Sequence, residues 1–250
     1  MTNALILAAG LGTRLKPMTD FIPKALVPVG GRPLLQILID RLKTVGVTDI
    51  VVNVHHFSGQ IIDFLFNSEY SKTLQQIHVR VSDESRQLLD TGGAIKKAAS
   101  LFPDAKPFLV HNVDILSNLD LRAFHNQIVL SRDEPTTLIA SERSTSRYLL
   151  VNEEKLLVGW TNISTGEVKS PYKNLNVCAC RKVAFSGIQA FNPRLLPLMQ
   201  SWSDKFSIID FYLSICDKER IVVDVRSDLR LLDVGKLDTL AQAENFITSL

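Results

Sequence analysis

The chain opens on a short apolar run, Ala4 to Leu7, that passes directly into the small residues Ala8, Ala9, Gly10 and Gly12. A run of this length ending in glycines predicts a buried strand entering a tight loop. The β-branched stretch Asp49 to Val54 predicts a second strand, and the alternation of Ile77, Val79 and Val81 with polar residues a third, nearer a sheet edge. Phe108 to Val113 predicts another buried strand, ending at Asp114, and Thr136 to Ala140 one more. Helical spacing intervenes. Leu34, Leu35, Ile37, Leu38 and Leu42 predict a helix with Pro33 as its first residue and Gly46 at its end. Ser58 is placed to cap a helix to about Phe66 with Ile61, Ile62 and Leu65 inward. Thr91-Gly92-Gly93-Ala94 opens a short helix over Ile95 to Ala99, and Leu119 to Leu130 forms another.

Strands alternating with helices predict an α/β fold, a Rossmann-like, doubly wound and mostly parallel sheet with helices on both faces. Ligands of such sheets sit beyond the carboxyl ends of strands at a topological switch point. The glycine loop, the Thr91 loop and Asp114 all fall at such ends. After about residue 141 the pattern changes. Tyr148 to Val151 and Leu156 to Thr161 read as short strands, and residues 162–174 are polar and turn-rich, together a small β-rich insertion forming one wall of a cleft. Val183 to Phe191 returns to strand, Pro193 starts a helix to about Gln200, and Ile208 to Cys216 is helical. Ile221 to Val225 is a strand, and Leu237 to Ile247 an amphipathic helix. With no repeat, linker or low-complexity segment, residues 1–250 read as a single domain, its halves meeting near residues 140 and 141.

Composition adds limits. At 46% hydrophobic and 22% charged, the chain is an ordinary globular one. A net charge of +2 suggests neither a nucleic-acid coat nor a membrane surface, so anions would be held by placed cations. No apolar run approaches a membrane span, and none resembles a secretory leader. Cys178, Cys180 and Cys216 are too sparse for a disulfide framework or a zinc knuckle, and a cytoplasmic location is expected. His55 and His56, adjacent on a strand, point to opposite faces and cannot share an ion, which weakens a zinc site with His111.

The glycine loop admits three readings. A dinucleotide fingerprint needs a third glycine where Leu15 stands, and a helix that Pro17, Pro23, Pro28 and Pro33 forbid. No Walker spacing occurs. A long, proline-stiffened phosphate loop carrying Arg14 and Lys24 remains. Its Gly10, Gly12, Arg14, Pro17, Thr19, Pro23, Lys24, Pro28 and Val29 fall where the signature G-x-G-x-R-x-x-P-x-T-x-x-x-P-K-x-x-x-P-V has its fixed positions. The stretch therefore resembles the sugar-1-phosphate nucleotidylyltransferases. The resemblance spans nearly the whole chain, and among subgroups it looks closest to the N-acetylmuramate-1-phosphate uridylyltransferases, with the mannose- and heptose-1-phosphate guanylyltransferases behind.

The resemblance implies an enzyme that makes an NDP-sugar and pyrophosphate from an NTP and a sugar 1-phosphate, with Mg²⁺ as cofactor. It implies catalytic roles for Arg14 and Lys24 and nucleotide contacts from Leu7, Ala8, Ala9, Gly10, Gly12, Thr13 and Arg14. Gly92, in a loop similar to the family's [ED]-T-G/A-G-A, would add a contact to the base. Asp114 and Asp233, the latter in Leu231-Leu232-Asp233-Val234-Gly235, would hold the metal. Asn112, Asp210 and Gly187, in a segment resembling F-x-G-I, fall on the sugar side, where the β-rich insertion also lies. For Gly187 a strand bulge is an equally good reading. Expected partners are the two substrates, without nucleic acid or membrane, in a monomer or homodimer. Val113 stands where relatives have glycine or serine, and Lys236 where they have threonine. These departures keep alive a non-catalytic sensor of nucleotide sugars. A nicotinamide-dependent dehydrogenase is weakened by the prolines.

Overall fold

The computed structural model describes residues 3–130 and 135–249, with the backbone alone for 128–130. β1 (Asn3–Leu7) leads into three single 3₁₀ turns, Thr13–Leu15, Met18–Asp20 and Lys24–Leu26. The prolines permit no α-helix here. A small hairpin follows, of β2 (Pro28–Val29) and β3 (Arg32–Pro33). Pro33 thus closes the hairpin, one residue before α1 (Leu34–Thr44). Next come β4 (Asp49–Val54), α2 (Ser58–Phe66), β5 (His78–Asp83), α3 (Asp90–Ala98), β6 (Phe108–Asn112) and β7 (Ile115–Ser117). The chain continues with α4 (Leu121–Leu130), β8 (Thr137–Ser141), β9 (Arg147–Val151), β10 (Leu157–Asn162), β11 (Glu167–Lys169) and β12 (Arg181–Phe191). It ends with α5 (Ile208–Ile215), β13 (Val222–Val225), β14 (Leu231–Asp233) and α6 (Leu237–Thr248).

Besides Pro33, three further boundaries differ from expectation for physical reasons. Ser58 does not cap α2; Phe57, with φ of 52°, holds the cap position. α3 begins at Asp90 and takes Gly92 and Gly93 into its interior, because their missing side chains admit the segment Asp204–Phe206 against the helix. Pro193–Met199 is 3₁₀ rather than α-helical, with Pro197 interrupting it.

The main sheet runs in the order β11-β10-β9-β12-β6-β1-β4-β5, with β8 paired to β12 and β13 to β8. β6, β1, β4 and β5 are parallel, and β12 joins β6 antiparallel, so the sheet is mixed with parallel central strands. Strand alternation sends Ala4, Ile6, Ile50 and Val52 to one face, where α1, α2, α4 and α6 cover them. Leu5, Val51 and Val110 go to the other, under α3 and α5. The chain winds from β1 through β4 to β5 at one edge of the parallel set, then returns to place β6 on the far side of β1. That reversal opens a crevice past Leu7 and Asn112, which are register partners.

Away from the main sheet, β14 pairs antiparallel with β7, setting Asp233 opposite Ile115. β12 shifts register against β8 between Phe185 and Gln189. Gly187, at φ of 77°, lies in that irregularity, so the bulge reading of this glycine is the one observed. Among the described residues no helix is long and apolar enough to cross a membrane.

Candidate active site

The loop after β1 is pinned from three sides. Leu15 is fully buried in the core. The Thr19 hydroxyl donates to the Gly12 carbonyl at 2.8 Å. Gly12 has φ of 66°, and a Cβ there would come within 2.8 Å of the Thr19 methyl, so only glycine fits this turn without strain. At its start, Asn53 Oδ1 accepts the backbone N–H of Ala8 (2.6 Å) and of Ala9 (3.2 Å). Those two donors are thereby used. Among the described residues, the N–H groups of Gly10, Leu11 and Gly12 have no acceptor, which leaves them available to an anion.

Asn53 is itself held. Its amide donates to Glu84 Oε1 at 2.8 Å, and the other oxygen of Glu84 accepts the Leu89 N–H at 3.0 Å. Glu84 is 2% exposed, and burial raises its pKa against the pull of these hydrogen bonds. One buried carboxyl group therefore links the glycine loop to the segment Leu88–Thr91 across the crevice.

Four charged groups meet where the loop faces β6 and β14. Lys24, 8% exposed, donates to Asp114 Oδ2 just past β6. Arg14 Nη2 lies 3.5 Å from Asp233 Oδ2. Gly235 packs between the pairs, and a Cβ on it would stand 2.6 Å from both Arg14 Nη2 and Asp233 Oδ1. Asp233 Oδ1 is buried with no hydrogen-bond partner. A buried carboxylate oxygen left unpaired is unusual and has capacity for a hard cation. Among the described residues no three His, Cys, Asp or Glu side chains form a complete cage. A cation that takes one or two carboxylates and completes its shell with water and substrate phosphate needs none.

A cavity of about 530 Å³ extends from this cluster. Of the expected nucleotide contacts, Leu7 to Gly10 and Gly12 to Arg14 line it, together with Lys24, Asn112 and Asp114. Gly92 is buried inside α3, where its N–H donates to the Phe206 carbonyl at 2.9 Å; its neighbours Asp90 and Thr91 line the cavity instead. A Cβ on Gly187 would stand 2.7 Å from Asn112 Nδ2, so the glycine leaves room for that amide. Asp210 lies apart, in the first turn of α5, paired with Lys169 at 3.1 Å and lining a second cavity of about 500 Å³. Val113 lines the first cavity, whereas Lys236 lines neither. His55 and His111 pack into the scaffold. His55 Nδ1 lies 2.7 Å from the Glu84 carbonyl, and His111 is wholly buried, its pKa lowered to about 4 chiefly by burial. Sequence reasoning missed Asn53 and Glu84, because neither belongs to a local motif.

The nucleotidyl transferase family model matches residues 3–249. The N-acetylmuramate alpha-1-phosphate uridylyltransferase of Caulobacter vibrioides is 42% identical over 111 residues, covering 44% of this chain and 45% of that protein. Mannose-1-phosphate guanylyltransferase 1 of Arabidopsis thaliana is 33% identical over 171 residues, covering 63% of this chain and 46% of its own length. The chain spans about half the length of these curated relatives. The crystal structure of HddC from Yersinia pseudotuberculosis complexed with GMP-PN superposes with a TM-score of 0.74 at 25% identity, covering 99% of this chain and 100% of that one. A UDP-glucose pyrophosphorylase complexed with UDP-glucose shares the fold, with a TM-score of 0.76 at 16% identity over 100% of this chain and 99% of that one. On a family match that extends through both halves of the sheet, the chain belongs to the nucleotidyl transferase family.

Proposed function

We propose that the protein is a Mg²⁺-dependent sugar-1-phosphate nucleotidylyltransferase, joining an NTP and a sugar 1-phosphate into an NDP-sugar and releasing pyrophosphate. One observation carries the reading: Asp114 and Asp233, from distant parts of the chain, meet beside Arg14 and Lys24 at the mouth of a loop with free N–H donors. In the reaction a phosphate oxygen of the sugar 1-phosphate attacks the α-phosphorus. The new P–O bond forms as the bond to the bridging oxygen breaks, and that electron pair departs with pyrophosphate. Nucleophile and leaving group are already anions near neutral pH, so the barrier is crowding of negative charge rather than proton transfer.

The residues fit that task. Arg14 offers a planar fork to the β- and γ-phosphates, with the N–H groups of Gly10, Leu11 and Gly12 beside it. Lys24 brings a compact charge to the α-phosphate or the sugar phosphate. Asp114 and the unpaired oxygen of Asp233 suit Mg²⁺, which when bound supplies further neutralisation of phosphate charge. Asn112, at the end of β6 and given room by Gly187, and Asp210, from the half of the chain after about residue 140, serve the sugar. The pairings favoured by the relatives are UTP with N-acetylmuramate 1-phosphate and GTP with mannose 1-phosphate. The three free thiols suit a reducing, cytoplasmic location.

The test is pyrophosphate release with Mg²⁺, sugar 1-phosphates and UTP, GTP, CTP or dTTP. Turnover with one pairing and its loss in Asp114→Asn support the reading; full activity of that variant refutes the metal assignment. A second reading, a sensor that binds a nucleotide sugar without turnover, draws on Val113 at the cavity wall. Absence of turnover with every pair, combined with tight NDP-sugar binding, would favour it.

A further inference from the structure

The second cavity has a construction of its own. Its floor is one face of the antiparallel ribbon β9-β10-β11. Register sets Arg147 opposite Asn162, Leu149 opposite Trp160, Trp160 opposite Lys169 and Asn162 opposite Glu167, so the pleat turns these side chains to the same side. Across from them stand Phe185 and the start of α5, with Ser207, Ile209 and Asp210. The result is an aromatic and apolar wall beside a strongly polar one, the make-up expected for a sugar ring.

The charges do not cancel. Both carboxylates of the lining are directed at one lysine: Asp210 lies 3.1 Å and Glu167 3.8 Å from Lys169 Nζ. That ammonium also sits 5.4 Å from the centre of the Trp160 ring. Arg143 and Arg147 are left over. The Arg143 guanidinium donates to the Phe185 carbonyl at 3.1 Å, a neutral acceptor. Among the described residues, the Arg147 guanidinium makes no hydrogen bond or ion pair. Glu142, next to Arg143 in sequence, is engaged by Arg181 at 2.7 Å. Single unpaired arginines on a surface are ordinary, but here two share one ring-sized cavity whose acids are already taken.

The cavity also lies where the remote part of a sugar 1-phosphate would reach. Phe185 belongs to the second cavity, and only two residues further along β12 Gly187 packs on Asn112 of the first. The phosphate end of that substrate has Lys24 in the first cavity, which Arg14 also lines for the NTP phosphates. The arginines of the second therefore answer to a different negative group on the same molecule.

We propose that the second cavity selects a sugar 1-phosphate bearing a carboxylate, with Arg147 and Arg143 as the residues that recognise it. The proposal rests on the nucleotidylyltransferase reading above and separates its two candidate sugars, since N-acetylmuramate carries a carboxylate and mannose does not. The experiment compares N-acetylmuramate 1-phosphate and glucuronate 1-phosphate with mannose 1-phosphate and glucose 1-phosphate. It measures pyrophosphate release, and calorimetric binding to the intact protein, for the unaltered chain, Arg147→Gln and Arg143→Gln. A charge-assisted hydrogen bond lost from such a site predicts that either substitution raises KM and Kd for the acidic sugar about tenfold. The preference for acidic over neutral sugars falls by the same factor. Equal or better use of neutral sugars by the unaltered protein, or equal effects of the substitutions on both classes, overturns the proposal. If no pair is turned over but an acidic sugar phosphate binds in an arginine-dependent way, the subsite stands and the transferase reading fails. If neither acidic sugar phosphate binds or reacts, the subsite fails.

Discussion

The backbone N–H of Val234 donates to the carbonyl of Asp114 at 2.8 Å. This bond continues the β7–β14 ladder to the edge of the cavity and carries the Asp233 carboxylate to the one just past β6. Backbone pairing, and not an ion pair, thus sets the position of Asp233. Its contact with Arg14 joins two half-exposed side chains and contributes no more than about 0.5 kcal/mol. Asp233→Asn is therefore expected to melt within a few degrees of the unaltered protein, while kcat for pyrophosphate release falls by roughly 100-fold or more. Parallel melting curves and initial rates check this. A large loss of stability, or a rate within a factor of two, would assign Asp233 to the scaffold.

Lys24 and Asp114 stand in the opposite relation, because both are largely buried and each neutralises the other. Asp114→Ala leaves an ammonium group without its partner and is expected to cost about 3 kcal/mol, in addition to its effect on rate. Asp114→Asn keeps an acceptor for Lys24 and should cost less than half of that, while still removing the charge on which a cation depends. Denaturant titration of both variants separates the roles. Equal stabilities would mean that Lys24 does not need this carboxylate in the folded state.

The glycine loop and its cations were legible because their residues are neighbours in sequence and their chemistry is local. The central strands were legible for the same reason, through period and β-branching. What could not be read were the relationships made by topology. β7 and β14 are three residues each, too short for alternation to register. The motif resemblance named Asp233 without showing what brings it to Asp114. Gly92 looked like a point of backbone access to a base, yet it is close helix packing against Phe206 that requires it to lack a side chain. Asn53 sat unremarked in a β-branched strand, and Glu84 in a polar turn. Only the parallel pairing of β4 with β5, with Val54 opposite Asp83, brings them together.

That pairing yields a third prediction. Glu84 offers two acceptor oxygens to two donors, the Asn53 amide and the Leu89 N–H. Glutamine has one acceptor, and its amide hydrogens would face the second donor. Glu84→Gln is expected to destabilise the fold by about 2 kcal/mol. It should raise KM for the NTP about tenfold, because both walls of the nucleotide cavity lose their shared anchor. KM for the sugar 1-phosphate should change much less. Steady-state kinetics with each substrate varied in turn checks the asymmetry, and equal rises in both KM values would reduce Glu84 to a general structural role.

His111 is expected to contribute to the acid limit of the fold. Its ring is wholly buried on β6, Nδ1 lies 2.8 Å from the Asn112 carbonyl, and Nε2 has no partner. Burial dominates, joined by repulsion from Arg41 and opposed by the hydrogen bond to Asn112 and the attraction of Asp114, and the pKa falls from 6.5 to about 4. A histidine held neutral adds nothing to stability above pH 6.5, where the unfolded chain is neutral too. Between pH 6.5 and about 4 the unfolded chain takes up a proton that the folded one refuses, so stability drops as pH falls, by about 3 kcal/mol across the window. Below that the folded ring protonates as well and the loss levels off. Replacement by a neutral side chain of similar size, His111→Gln, removes the titration whatever its cost at neutral pH. Urea unfolding at pH 7 and pH 4.5 should therefore show a smaller acid loss in the variant than in the unaltered protein. Identical acid losses would mean that carboxylates elsewhere, and not this imidazole, govern the decline.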